Sequence, residues 1–336
     1  MSAYDKLEAA SRQYEEVCVL TGAAEVDLFT PLTRQPLTAN ELTAQCQTDL
    51  RATITVLNAL TALGYLNRID CGTDDPRYEV AEGFKELLDI NSHKNSFIPM
   101  LRHRMNCLRN WSQLSTTLKT GKPAERIASM LGAEEDFRSF VLAMNSIGIS
   151  FVEQLADEMQ KAGLLNFKCM LDVGGASGTY TLTFLKRNPK AQAILFDRPA
   201  AVQEAEKRFA RSEFSGKVRF ISGDFETDTL PGGADFAWVS AIIHQFDNAK
   251  SQALYKNVYQ ALESGGTIAV RDFVMDSTHT KPAAGTLFAI NMLIGTAAGK
   301  CYDFDEIRCD LEAAGFRDVR FAIPAGTMSA VVTAKK

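Results

Sequence analysis

Cysteine is sparse and unpatterned in this chain. Its seven cysteines (18, 46, 71, 107, 169, 301 and 309) include no Cys-x-x-Cys pair, which excludes a disulfide framework or a zinc ribbon and fits free thiols in a reducing cytoplasm. Histidine is scarcer still, at four residues, and His93 and His103 lie ten apart, so no metal centre is expected. No stretch approaches the about 18 uninterrupted apolar residues of a membrane span. The segment from Met1 to Glu16 is charged and helical in pattern, so no signal peptide is expected either. An excess of positive charge is also missing: the formal net charge is −5, which argues against nucleic acid or another polyanion as the main partner. Low-complexity tracts and internal repeats are absent.

What is present is an ordinary soluble composition, 46% hydrophobic and 23% charged over 336 residues, enough for two domains with substantial cores. Residues 1–95 read as helices followed by a hairpin. Thr38-Ala-Asn-Glu41 is a capping box. A helix from about Asp49 places Ile54, Leu57, Leu60 and Leu63 on one face and stops at Gly64. Tyr65 to Ile69 and Arg77 to Val80 flank a turn-rich segment beginning at Cys71. Helix, helix, hairpin is the winged-helix pattern, whose second helix can enter a DNA groove. Here eight Lys/Arg stand against fifteen Asp/Glu over residues 1–95, and the second helix offers only Arg51. DNA binding needs phosphates neutralised, so self-association is the expected role.

Residues 96–165 read as a helical connector lining a substrate pocket, with Leu101, Leu108, Trp111 and Leu114 at helical spacing, a break at Gly121-Lys-Pro123, and a second run from Phe137 through Phe151. Arg102-His103-Arg104 and Arg109 lie on its first helix and would suit an anionic substrate, or form salt bridges on a solvated face. From residue 166 to 336, strands are expected at about 169–173, 192–197, 217–222, 234–240, 267–274, 317–323 and 327–334. Helices fall between them, and Gly326 turns the last pair. Alternation of this kind predicts an α/β domain with a mostly parallel, Rossmann-like seven-stranded sheet.

The chemistry concentrates at the strand ends. Residues 169–178 read Cys-Met-Leu-Asp-Val-Gly-Gly-Ala-Ser-Gly, a strand running into a small-residue loop that lets a ligand approach the backbone. The next strand closes on Asp197, an acid placed to hold ribose hydroxyls. Gly174, Gly175 and Gly178 do not fall on the dinucleotide offsets G-x-G-x-x-G. Ser222-Gly-Asp224-Phe225 follows the third strand, where a carboxylate and a ring suit adenine. Beyond the fourth strand (Ala234 to Ser240) stands His244, a residue type suited to taking a hydroxyl proton. The alternative is a satisfied histidine at a helix start, with Asp247 as its N-cap.

The frame Asp172-x-Gly174-x-x-x-Gly178 resembles motif I of class I S-adenosylmethionine (SAM) methyltransferases. The whole chain is similar to the two-domain O-methyltransferase family of caffeic-acid, acetylserotonin, and bacterial polyketide and carotenoid enzymes. The matching stretches are the N-terminal region, Trp111 to Pro123, Leu171-Asp-Val-Gly-Gly, Ile243-His244, Arg271-Asp272-Phe-Val, Asn291-Met292 to Gly299-Lys300, and Ala314-Gly-Phe316. The resemblance implies SAM as cofactor, held by Asp172, Gly174, Gly175, Gly178, Asp197, Asp224, Phe225 and Ser240. It implies His244 as general base with Asp272 orienting it, and Met144, Asn291, Met292, Trp111 and His103 toward a small-molecule acceptor. It also implies an intertwined homodimer. The family's His-Asp-Trp is His244-Gln-Phe here, a Lys or Arg that commonly ends the fourth strand is Ser240, and a second carboxylate near the base is replaced at Cys301. The expected activity is methyl transfer to a hydroxyl of a phenolic or other secondary metabolite. Alternatives are transfer to sulfur, nitrogen or carbon, or a non-catalytic dimer that binds SAM or another small molecule.

Overall fold

The computed structural model describes residues 2–336 apart from 71, 73, 74, 93, 94, 325 and 327, and describes only the backbone of 145–150. The turn at Cys71, His93 and part of the turn around Gly326 therefore lie outside the described residues. Two units emerge: residues 1–112 with 125–147, and residues 113–124 with 148–336.

In the first unit, helices α1 (Ala3–Ser11), α2 (Tyr14–Glu25) and α3 (Phe29–Arg34) lead to strand β1 (Leu37–Thr38), α4 (Ala39–Cys46) and α5 (Leu50–Ala62). The capping box forms: Thr38 Oγ1 accepts from the Glu41 N–H, and the Glu41 carboxylate accepts from the Thr38 N–H at 2.8 Å. Strands β2 (Leu66–Ile69) and β3 (Arg77–Val80) pair antiparallel, and β1 adds to β3. Phe29, Leu42, Leu57, Leu60, Val80 and Ile98 form the core. The α5 face is turned from the expected one. Thr53, Leu57 and Leu60 are buried, whereas Ile54 and Leu63 are exposed, because positions i, i+4 and i+7 define the stripe that meets the core. Helix α6 (Ile98–Trp111) belongs here, as do residues 133–147 of α8 (Ala133–Lys161).

The second unit takes α7 (Leu114–Thr120), which Gly121 ends in a left-handed cap. Residues 121–132 are not helical, so the expected connector is interrupted more widely than its Gly-Lys-Pro break. The unit then alternates β4 (Cys169–Val173), α9 (Thr179–Arg187), β5 (Gln192–Asp197), α10 (Pro199–Phe209), β6 (Val218–Ser222), β7 (Ala234–Ser240), α11 (Asn248–Ala261) and β8 (Leu262–Arg271). After β9 (Val274–Met275), α12 (Ala283–Gly295), β10 (Tyr302–Asp303) and α13 (Phe304–Ala313) come β11 (Arg317–Ile323) and β12 (Val331–Lys335). The sheet order is β11-β12-β8-β7-β4-β5-β6, with β12 antiparallel to both neighbours and the other pairs parallel.

Successive residues of a strand face opposite sides, and here both sides are covered. Leu171, Val173, Val239, Ile268 and Val270 pack with Leu254, Ile307 and Leu311. Met170, Phe236, Trp238 and Ala269 pack with Leu155, Met159, Phe184 and Leu185. The strand order reverses between β4 and β7, and the crevice at such a switch point is where open α/β sheets bind ligands. Among the described residues, no helix is long and apolar enough to cross a membrane.

Candidate active site

Register brings the expected residues to one edge. Val173 pairs with Phe196 and with Val239, and Asp197 pairs with Ser222. The carboxyl ends of β6, β5, β4 and β7 therefore stand level, and Asp224, Asp197, Gly174 and Ser240 emerge side by side. The glycine loop is fastened to the neighbouring strand: the Gly174 N–H donates to the Phe196 carbonyl at 2.8 Å, and the Ala176 N–H donates to Asp197 Oδ2 at 2.7 Å. Asp197 Oδ1 accepts from the Arg198 N–H. Asp224 Oδ2 meets Arg198 at 3.3 Å. A methyl group added at Gly174 would stand 3.5 Å from Phe225 Cε1 and 2.8 Å from Ile242 Cδ1. The loop is thus flanked by the Phe225 ring on one side and by the segment leading to His244 on the other. A small-residue loop between a carboxylate and an aromatic ring is a donor set that suits an adenosine cofactor.

Asp172 points away from this edge. It is 2% exposed, accepts from Thr181 Oγ1 at 2.5 Å, and its Cγ would lie 2.9 Å from a methyl at Gly175. It braces the loop and the first turn of α9 from below. Burial pushes its carboxyl up to about 7, with the charge of Asp197 adding to the rise and the Thr181 bond opposing it. A carboxyl raised in the folded state contributes fully below its unfolded value and loses that contribution as pH climbs through the folded one. We expect about 4 kcal/mol of folding stability to be lost from this group between pH 4 and 7, with no further loss above. Urea unfolding should show Asp172→Asn gaining on the parent chain across that window. A difference between the two that stays constant with pH would overturn the assignment.

His244 sits on a 3-10 turn, Ile243–Gln245. Its Nδ1 lies 2.9 Å from both carboxylate oxygens of Asp272, and the pair is buried, with side chains 9% and 2% exposed. Asp272 Oδ1 also accepts from the Phe273 N–H at 2.8 Å. A carboxylate at Nδ1 fixes that nitrogen as the donor and leaves the Nε2 lone pair for a proton from elsewhere. Phe288 of α12 meets the imidazole edge-on at 4.8 Å. Gly299 is required by close approach, since a methyl there would stand 2.5 Å from the His244 carbonyl oxygen. Cys301 is buried and gives its thiol proton to the Gly285 carbonyl. Burial and the nearby Asp272 push that thiol up to about 12, so it adds no charge beside the imidazole. Asp247 caps α11, accepting from the Lys250 N–H at 2.9 Å, as the alternative reading of this segment has it.

The residues that the sequence reading expects toward the acceptor are found in different units. Asn291 and Met292, on α12, fall in the second, with Met292 8% exposed. His103, Trp111 and Met144 fall in the first, where His103 lies 5.3 Å from the Phe140 ring. Two of the neighbouring arginines have structural partners there. Arg102 donates to the Ala24 carbonyl and pairs with Glu135 at 3.4 Å, and Arg109 pairs with Glu25. Sequence reasoning gave no role to Phe288, Thr181 or Arg271. Only Arg271 carries a local signal, as a cation ending the apolar run Ile268-Ala-Val.

The family model described as the O-methyltransferase domain matches residues 126–317. The chain is 30% identical over 322 residues to the tetracenomycin polyketide synthesis 8-O-methyl transferase of Streptomyces glaucescens, covering 91% of this chain and 89% of that protein. It is 28% identical over 327 residues to the acetylserotonin O-methyltransferase of Bos taurus, covering 94% and 93%. The structure of human N-acetylserotonin methyltransferase in complex with SAM aligns with all of this chain and 98% of its own, with a TM-score of 0.82 at 23% identity, and shows a shared class I methyltransferase fold. The chain belongs to the O-methyltransferase family of SAM-dependent methyltransferases.

Proposed function

We propose that this enzyme moves the methyl group of SAM to a hydroxyl oxygen of a small phenolic or related secondary metabolite. The observation that carries the reading is the buried His244–Asp272 pair on a turn packed, through Ile242, against the glycine loop. SAM supplies an electrophilic methyl on a sulfonium. A neutral phenol is a weak nucleophile, with a pKa of roughly 10. His244 Nε2 takes its proton, Asp272 holds the imidazole and balances the positive charge that develops, and the freed oxygen is the nucleophile for the methyl that bound SAM would supply. We assign the cofactor to Gly174, Gly175 and Gly178 with Asp172 bracing them, ribose to Asp197, adenine to Asp224 and Phe225, and a contact to Ser240. Met144, Asn291, Met292, Trp111 and His103 are assigned to the acceptor.

For the rest of the chain we propose a winged-helix dimerisation module over 1–95, a pocket-lining connector over 96–165, and the SAM domain over 166–336. The exposed apolar residues Tyr4, Leu7 and Tyr14 on α1 and α2 support self-association, as apolar patches mark contact surfaces. The described cysteines, all free thiols, support a cytoplasmic setting.

The test is methyl transfer from isotopically labelled SAM to a panel of phenols, alcohols, thiols, amines and activated carbon acids, with the new bond located by NMR. We expect label on oxygen alone. Label confined to sulfur, nitrogen or carbon would sink the hydroxyl reading, and binding of SAM with no turnover across the panel would sink the catalytic one.

A further inference from the structure

Arg271 ends β8 on the α9 side of the sheet. It is 6% exposed, yet no carboxylate of the described residues forms an ion pair with it, and its buried Nε has no hydrogen-bond partner among them. Its Nη1 donates to Ser240 Oγ at 3.2 Å. The guanidinium otherwise lies against aromatic rings, 5.0 Å from the Phe151 centroid and 5.6 Å from that of Tyr180. A permanently charged group this deep is costly unless an anion meets it. Rings and one hydroxyl compensate only part of that cost.

Its place along the edge says which anion. Adjacent strands lie about 4.8 Å apart, and the sheet order β6-β5-β4-β7-β8 sets out Asp224, Asp197, Gly174, Ser240 and Arg271 in a row. If adenine lies at the β6 end and ribose over β5, the far end of the cofactor runs past the glycine loop toward β7 and β8. That end is an amino acid and carries a carboxylate. Resting on the functional reading above, we propose that Arg271 is the counter-ion of a carboxylate brought into the crevice, and that this carboxylate is the amino-acid tail of SAM. Paired with it, the guanidinium offers two donors in the fork that matches a carboxylate. The residue is a positioning residue for the cofactor and takes no part in the proton transfer.

The test is calorimetric binding of two ligands to the full chain and to Arg271→Met and Arg271→Lys. S-adenosylhomocysteine (SAH) carries the tail; 5′-methylthioadenosine has the same nucleoside and thioether without it. We expect R271M to weaken SAH ten- to a hundredfold and methylthioadenosine less than twofold, with R271K intermediate for SAH. Because the comparison is a ratio within one variant, a general loss of fold moves both ligands together and would overturn the assignment. Unchanged SAH binding with a raised KM only for carboxylate-bearing acceptors would overturn it in favour of the acceptor as the anion's source. The parent chain separates the two readings: failure to bind SAH at all removes the functional proposal, whereas SAH bound equally by the parent and R271M removes only this one.

Discussion

Replacing His244 by alanine is expected to lower kcat about 10²- to 10⁴-fold, the range for loss of a general base, while SAH affinity stays within about twofold of the parent. The separation follows from position. The imidazole reaches Asp272 on one side and Phe288 on the other, whereas the edge we assign to the cofactor is built from the loop at 174–178, Asp197 and Asp224. Asp272→Asn should be damaging to a similar degree for a different reason. An amide can turn its NH2 toward Nδ1, which forces the proton onto Nε2 and removes the base without removing the ring. The double variant should be little worse than either single one, since both act on one proton transfer. Single-turnover rates and SAH titration check all three. If His244→Ala keeps kcat within about threefold, the hydroxyl proton has another destination or does not exist.

Gly178→Ala is expected to destabilise the folded enzyme by about 2 to 5 kcal/mol and to abolish SAH binding with it. Two costs add. Gly178 has φ +73°, a left-handed conformation worth about 1–2 kcal/mol against any residue with a Cβ. The new methyl would also stand 2.6 Å from Phe209 Cε2 and 3.1 Å from Leu195 Cδ1, in a core where overpacking costs about 1–3 kcal/mol. Ala176, two residues earlier, makes a near-neutral control. It already holds φ 48°, so Ala176→Gly relieves strain and offsets the about 0.4–1 kcal/mol that glycine adds to the freedom of the unfolded chain. Urea midpoints should therefore move far down for G178A and barely for A176G. Equal shifts would mean that neither φ nor the Phe209 contact governs the loop.

Much of this could be read from residue order, because the signals are local. The Thr38–Glu41 box and the strands ending at Val173, Asp197 and Ser240 rest on a cap and on short apolar runs bounded by small or acidic residues. The His244 turn was found by its distance from a strand end. What escaped was whatever depends on neighbours far away in the chain. Ile54 and Leu63 fit the helical period as well as Leu57 does, and only the packing of the first unit selects among them. The motif I frame places Asp172 with the cofactor loop but does not say what its side chain touches. Its burial beneath Gly175 and its bond to Thr181 exist only once α9 has folded back. Phe288 contacts His244 across 44 positions of sequence that no periodicity joins.

The antiparallel insertion of β12 between β8 and β11 has a consequence for the order of assembly. The two flanking strands come earlier in the chain, yet neither can find its place beside the other until a later segment has entered the gap. Contacts of high sequence separation form slowly, so that side of the sheet closes late. Val331 pairs with Arg271 across the ladder, so the outer side of the backbone beneath the guanidinium is closed only when β12 arrives, although Ser240 of β7 pairs with its inner side. A partly folded chain could therefore hold the glycine loop before it could grip a cofactor tail.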